Sequence, residues 1–137
     1  MKREIKFRGK VVNNVDWVCG YYSLDNYFIP IIQVNSREGM YSIKVDPKTV
    51  GQYTELPKNP VELYGVYEDD IVKISWVTDN YSYMQSGDDI TEHEVIAVVA
   101  FKNGRFIYMD KEGKEISPPK KANKEVIGNI HDNPELL

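Results

Sequence analysis

The dipeptide Asn103-Gly104 constrains this chain more than any other feature of its sequence. It lies between two runs of strand-forming residues, Val95 to Phe101 and Arg105 to Met109, with Lys102 leading into it. Asn-Gly supplies the two positive φ angles of a type I′ turn, whose twist matches the strands it joins. The segment is therefore expected to be an antiparallel hairpin. A lone hairpin is marginal in water, so other strands must complete the sheet.

The remaining sequence offers them. Ile5 and Phe7 alternate with Glu4, Lys6 and Arg8, the period-2 pattern of a half-buried strand. Asn13-Asn14 reads as a turn before a strand from Trp17 to Tyr22, and Asp25-Asn26 as the next turn. Tyr27 to Val34 is strand-like, but Pro30 interrupts it and predicts an edge strand or two pieces. Arg37-Glu38-Gly39 turns the chain into Met40 to Val45, and Asp46-Pro47 opens a short helical turn through Val50. Residues 55 to 67 read as a connecting loop. Ile71 to Val77 is a strand with Val72, Ile74 and Trp76 on one face, and residues 78 to 92 read as an exposed loop or hairpin tip. Glu112-Gly113 is a turn, Ser117-Pro118-Pro119 a stiff loop, and Glu125 to Ile130 a last strand. Asn133-Pro134 caps a final helical turn whose leucines are expected to close one end of a barrel. The expected fold is mainly β (β-rich α+β), with seven to nine short strands. They form an antiparallel small barrel-like sheet with short helical caps, in a single domain over residues 1–137.

Size and charge narrow the function. A chain of 137 residues can bury one core without staples. Cys19 is the only cysteine, which excludes an intrachain disulfide and suits a reducing cytoplasm. No apolar run approaches the roughly 20 residues that span a bilayer, and the basic start has no apolar stretch of a secretory leader after it. A membrane partner is not expected. The net charge of −4 is unevenly spread. Residues 2–10 carry five cations against Glu4, residues 55–94 carry ten acids against Lys58 and Lys73, and residues 111–124 carry five lysines against Glu112 and Glu115. Such blocks are usually solvated surface, and they also suit pairing between subunits.

No motif assigns catalytic, metal-binding or cofactor-binding residues. His93 and His131 are far apart, and the cysteine has no partner for a zinc site. His93, flanked by Glu92 and Glu94, reads as an exposed side chain in an acidic loop. Glu68-Asp69-Asp70 lacks calcium-loop spacing, and Asp70 is expected to bond the preceding turn. Cys19 lies in a strand without a neighbouring activator, so a packed core thiol is expected. No nucleophile elbow, P-loop or dinucleotide fingerprint is present. Tyr81, Tyr83, Phe106 and Tyr108, with Lys102 and Arg105, could serve a single-stranded nucleic acid. The acidic balance opposes that reading, and aromatics at alternate strand positions more often belong to a core.

Three stretches then stand out together. The opening Met1 to Arg8 reads MKREIKFR. Thr49-Val50-Gly51-Gln52-Tyr53-Thr54 is followed after a loop by Val66-Tyr67-Glu68-Asp69-Asp70-Ile71-Val72-Lys73, and the chain ends Glu125-Val126-Ile127-Gly128-Asn129-Ile130-His131-Asp132-Asn133-Pro134-Glu135-Leu136-Leu137. In order and span these resemble the YopX family of bacterial and bacteriophage proteins. Glu55 and Asp69 stand where that pattern has glycine, and Pro57 and Pro60 occupy its glycine-containing loop. The turn before Ile71 is therefore expected to change shape. The resemblance implies a mainly β fold, a phage or prophage origin and self-association, and it carries no catalytic residues. The expectation is a non-enzymatic, homo-oligomeric interaction or assembly module of the bacterial cytoplasm that needs no cofactor. A nucleic-acid-binding accessory role in phage replication or regulation is the alternative.

Overall fold

A computed structural model of the chain describes residues 4–56, 65–79 and 90–137. Its strands are β1 (Phe7–Lys10), β2 (Trp17–Leu24), β3 (Pro30–Ser36), β4 (Gly39–Lys44), β5 (Gly51–Gln52), β6 (Asp70–Asp79), β7 (Ile90–Lys102), β8 (Arg105–Met109), β9 (Glu115–Ile116) and β10 (Asn123–Asn129). They form two antiparallel five-stranded sheets, ordered β4-β3-β2-β1-β5 and β10-β6-β7-β8-β9. The fold is mainly β, as the alternation and turn chemistry require. The barrel is corrected, because neither sheet closes on itself. Hairpin signals fix neighbours only, and β5, with two residues, is too short to seal a sheet.

The chain divides into two compact units, Met1–Glu55 with Gly65–Glu68, and Leu56–Tyr64 with Asp69–Leu137. In the first, β1 to β4 run as a meander and β5 returns to pair with β1, Phe7 opposite Gln52. Gly20 permits the close approach of β2 to β3, since a Cβ there would strike the Gln33 carbonyl. Pro30 opens β3, and β3 lies inside the sheet between β2 and β4 rather than at an edge. The first residue of a strand is where a missing N–H is tolerated. Tyr27 and Phe28, read as strand, belong to the β2–β3 turn instead. Asp25 draws them there, accepting through Oδ1 from the Tyr27 and Ile29 amides at 2.8 and 2.9 Å. After β4, Pro47–Thr49 forms the expected short 3-10 turn, with Asp46 accepting from the Lys48 amide.

The second unit is organised by the β6–β7 ladder, which runs from Ile71 opposite Val98 to Asp79 opposite Ile90. Strand structure therefore reaches into both ends of the segment read as a loop, because Thr78 and Thr91 continue the pairing. Its centre lies outside the described residues, as does most of the 55–67 connection. The Asn-Gly hairpin is present, with Asn103 at φ 53° and Gly104 at φ 80° between β7 and β8. Ile71, Val72, Ile74, Ala97, Val99, Ile107 and Tyr108 are all buried. β10 pairs with β6 through an irregularity between Val126 and Gly128, where a Cβ would meet the Asn133 side chain. The last helical turn is a 3-10 turn over Pro134–Leu136, but Leu136 and Leu137 are exposed and close nothing. The Asn133 side chain accepts from the Asn129 amide at 3.3 Å instead of capping its own turn.

Candidate functional site

Alternation along the first strand places Lys6, Arg8 and Lys10 on one face, and the register puts Cys19 opposite Arg8 and Trp17 opposite Lys10. The Arg8 guanidinium lies 4.9 Å from the ring centres of both Trp17 and Tyr67, and its Nη2 donates to the Glu68 carbonyl at 3.2 Å. A planar, weakly hydrated cation is well suited to this position between two rings. Lys6 makes the parallel contact with Tyr53, 4.6 Å from its ring centre, and also reaches Glu4 at 3.5 Å. Tyr53 and Tyr67 pack at 5.4 Å. Burial lifts the Tyr67 hydroxyl well above the usual tyrosine pKa, and its hydrogen bond with Cys19 adds to the rise. Cys19 itself is exposed, which corrects the expectation of a core thiol. Its strand position faces Arg8 and not the side that carries Ile32.

The two positions where the resemblance places glycine both keep a left-handed backbone, Glu55 at φ 59° and Asp69 at φ 69°. The expected change of turn shape therefore does not follow from losing glycine. In each case the acidic side chain is itself bonded. Glu55 accepts from the Glu4 amide at 2.8 Å. Asp69, in the second unit, donates its amide to Val99 (2.8 Å), accepts at its carbonyl from the Ile130 amide (3.0 Å), and places Oδ2 3.0 Å from His131 Nε2. Asn129 orders the same turn, accepting through Oδ1 from the His131 and Asp132 amides at 3.0 and 2.9 Å. This network ties the end of the chain to the start of β6. The signal for it was the pair of missing glycines, since Asp tolerates the left-handed region better than most residues.

The remaining candidates are dispersed. His93 is in β7 rather than a loop, stacked on its cross-strand partner Trp76 at 5.1 Å. Glu94 pairs with Lys73 at 3.5 Å. Asp70 is buried at the head of β6, opposite Asn129. Glu68 turns its carboxylate to the Gln52 amide at 2.9 Å, so the Glu68-Asp69-Asp70 acids serve three separate purposes. Among the described residues, no three His, Cys, Asp or Glu side chains form a metal-binding group. Tyr108 is a core residue whose hydroxyl burial pushes up to about 12, and Phe106 packs edge-on against Phe101. Lys102 faces Arg105 across the hairpin, and Arg105 pairs with Glu115 at 2.6 Å. Tyr81 and Tyr83 lie outside the described residues.

The stretches that carried the resemblance thus meet in space. Gln52 and Glu68 join β1 in one unit, and Asp69 and Asp70 join Asn129 and His131 in the other. A family model described as YopX protein matches residues 6–137. The chain belongs to the YopX family. No curated protein and no solved structure matches it. Among the described residues of the YopX signature, Gln52, Glu68, Asp69, Asp70 and Asn129 have architectural parts, pairing a strand, closing a turn or holding a left-handed backbone. Among the described residues no helix is long and apolar enough to cross a membrane.

Proposed function

We propose that this YopX protein is a non-enzymatic interaction module that assembles with itself, in the cytoplasm of a bacterium carrying phage or prophage genes. One observation carries the reading. The first unit exposes Tyr21, Tyr22, Leu24, Tyr27, Phe28, Met40 and Tyr41 from its β2–β3–β4 region. Register puts Tyr21 and Met40 on one face of the sheet and Tyr22, Leu24 and Tyr41 on the other, and exposed aromatic and aliphatic side chains in such number suit surfaces that other proteins cover. The phage setting rests on family membership and the lone cysteine fits a reducing compartment. The competing reading, a nucleic-acid-binding protein, draws less support, since Lys6 and Arg8 already sit over tyrosine and tryptophan rings and Tyr108 is buried.

Size-exclusion chromatography with light scattering, at two salt concentrations and up to high micromolar protein, tests the proposal. A mass above 15.8 kDa that rises with concentration is the expected result. A strict monomer throughout would reject it.

A further inference from the structure

An open sheet has two edges, and the four edges of this protein are not treated alike. β5 and β9 are two residues long, and the far side of β5 is taken by Glu68, whose amide donates to the Gln52 carbonyl at 2.9 Å. β10 carries Lys124 and Glu125 and breaks its register between Val126 and Gly128. Short length, charge and irregularity are the devices that keep an edge strand from pairing with another chain. The middle of β4 has none of them. Gly39 to Lys44 keep an unbroken register with β3, and between Glu38 and Lys44 the strand has neither charge nor proline. Among the described residues, no strand pairs with the other side of Gly39 to Ile43.

The ladder fixes which groups that edge presents. The Val45 amide donates to the Pro30 carbonyl at 3.2 Å, so alternation turns the backbone groups of Ile43, Tyr41 and Gly39 toward β3. Those of Lys44, Ser42 and Met40 point away. The Lys44 carbonyl does so visibly, accepting from the Val12 amide at 3.1 Å. Val12 therefore closes the Lys44 end, and Met40 and Ser42 are left to receive a strand. In a second β4 running antiparallel, the same two residues face outward. The deepest register that avoids Val12 sets Met40 opposite Met40.

We propose that β4 pairs antiparallel with β4 of a second copy about a two-fold axis at Met40, joining two five-stranded sheets into one. This rests on the self-assembly reading above and specifies its interface. The side chains suit the register. Tyr41 comes to lie opposite Gly39 of the second copy, where a Cβ would meet nothing within 4 Å, so the ring has room. Met40 and Tyr41, 61% and 47% exposed, each gain cover, on opposite faces of the strand. Lys44 lies diagonally across from Glu38 of the second copy, within the reach of cross-strand pairs. The next charges along, Arg37 and Asp46, are also of opposite sign and come from opposite copies. Such a contact is self-complementary and closes at two copies.

A residue that meets itself has a distinctive signature under charge exchange. Met40→Lys and Met40→Glu should each weaken association at least tenfold by light scattering, because like charges then stand opposite each other across the axis. Each should leave the melting temperature of the dilute protein unchanged, since the side chain is exposed. Mixed in equal amounts, the two should restore a dimer, as lysine then faces glutamate. If the unmodified protein assembles and both variants assemble equally well, the β4 pairing is overturned while the assembly reading stands. If both variants are folded monomers and their mixture stays monomeric, the pairing at Met40 is overturned. A lower melting temperature for either variant would show that Met40 serves the fold, and would also overturn it. An unmodified protein that never associates rejects both readings.

Discussion

The two units use the same device, a five-stranded antiparallel sheet made largely of hairpins, and spend their apolar side chains in opposite ways. Among the described residues, ten of the exposed large hydrophobic side chains belong to the first unit and five to the second. Among the same described residues, five of the buried hydrophobic side chains belong to the first and eight to the second. Sheet architecture therefore does not settle where a strand's aromatics go. In the second unit, β-branched residues on adjacent strands of a long ladder are buried together. In the first, Tyr21, Tyr22, Met40 and Tyr41 occupy equally regular strands and stay in contact with water. The comparison separates residues that build the protein from residues that present a surface.

The sharpest way to break this contrast is to truncate both classes. Ile74→Ala in the second unit removes a fully buried side chain and should cost about 3 kcal/mol in urea unfolding. Tyr21→Ala in the first, at 61% exposure, should stay within about 0.5 kcal/mol. If the two losses were equal, the division into core and presented surface would be wrong.

Alkali probes the buried aromatics next. Tyr108 holds its proton to about 12 in the folded protein, against 10 for a free tyrosine. Below pH 10 both states keep the proton and the stability is intact. Between pH 10 and about 12 the unfolded chain ionises first, so stability falls as pH rises, by about 1 kcal/mol per pH unit. Tyr67 shifts in the same direction and adds to the loss. Urea titrations at stepped alkaline pH should show Tyr108→Phe losing less stability over this interval than the unmodified protein. Tyr21→Phe should track the unmodified protein.

Smaller effects refine the turns. Asn103→Ala, at φ 53°, should lower stability by about 1 kcal/mol, because alanine tolerates the left-handed region poorly. Glu55→Gly gains freedom at φ 59° and loses the bond to the Glu4 amide. The two terms oppose, and the net change in thermal unfolding should fall within about 0.5 kcal/mol.

Much of this was legible in the sequence. Local rules located the Asn103-Gly104 hairpin, the Asp46-Pro47 turn and the β6 run, because each depends on residues within a few positions. Closure was not legible, since nothing in a hairpin signal tells one barrel from two open sheets. Two residues were misplaced for a related reason. Tyr27 and Phe28 have strand propensity, but the Asp25 carboxylate captures their backbone in a turn. Cys19 alternates with small and apolar neighbours, and only the register with Arg8 shows which face it takes. The Asp69–His131 pair joins residues 62 positions apart, beyond any local pattern.

The order of pairing has a consequence for how the protein is made. Within the first sheet, β1 to β4 pair with one another in sequence order, so that meander can form as soon as its residues have left the ribosome, before β5 joins the other edge of β1. The pairs that complete each sheet are distant ones, Phe7 with Gln52 and Asp70 with Asn129. Loop-closure entropy makes such contacts slow to form. β6 therefore waits, with one edge bare, until Asn123–Asn129 is synthesised, and in that interval the nascent chain is most open to mispairing.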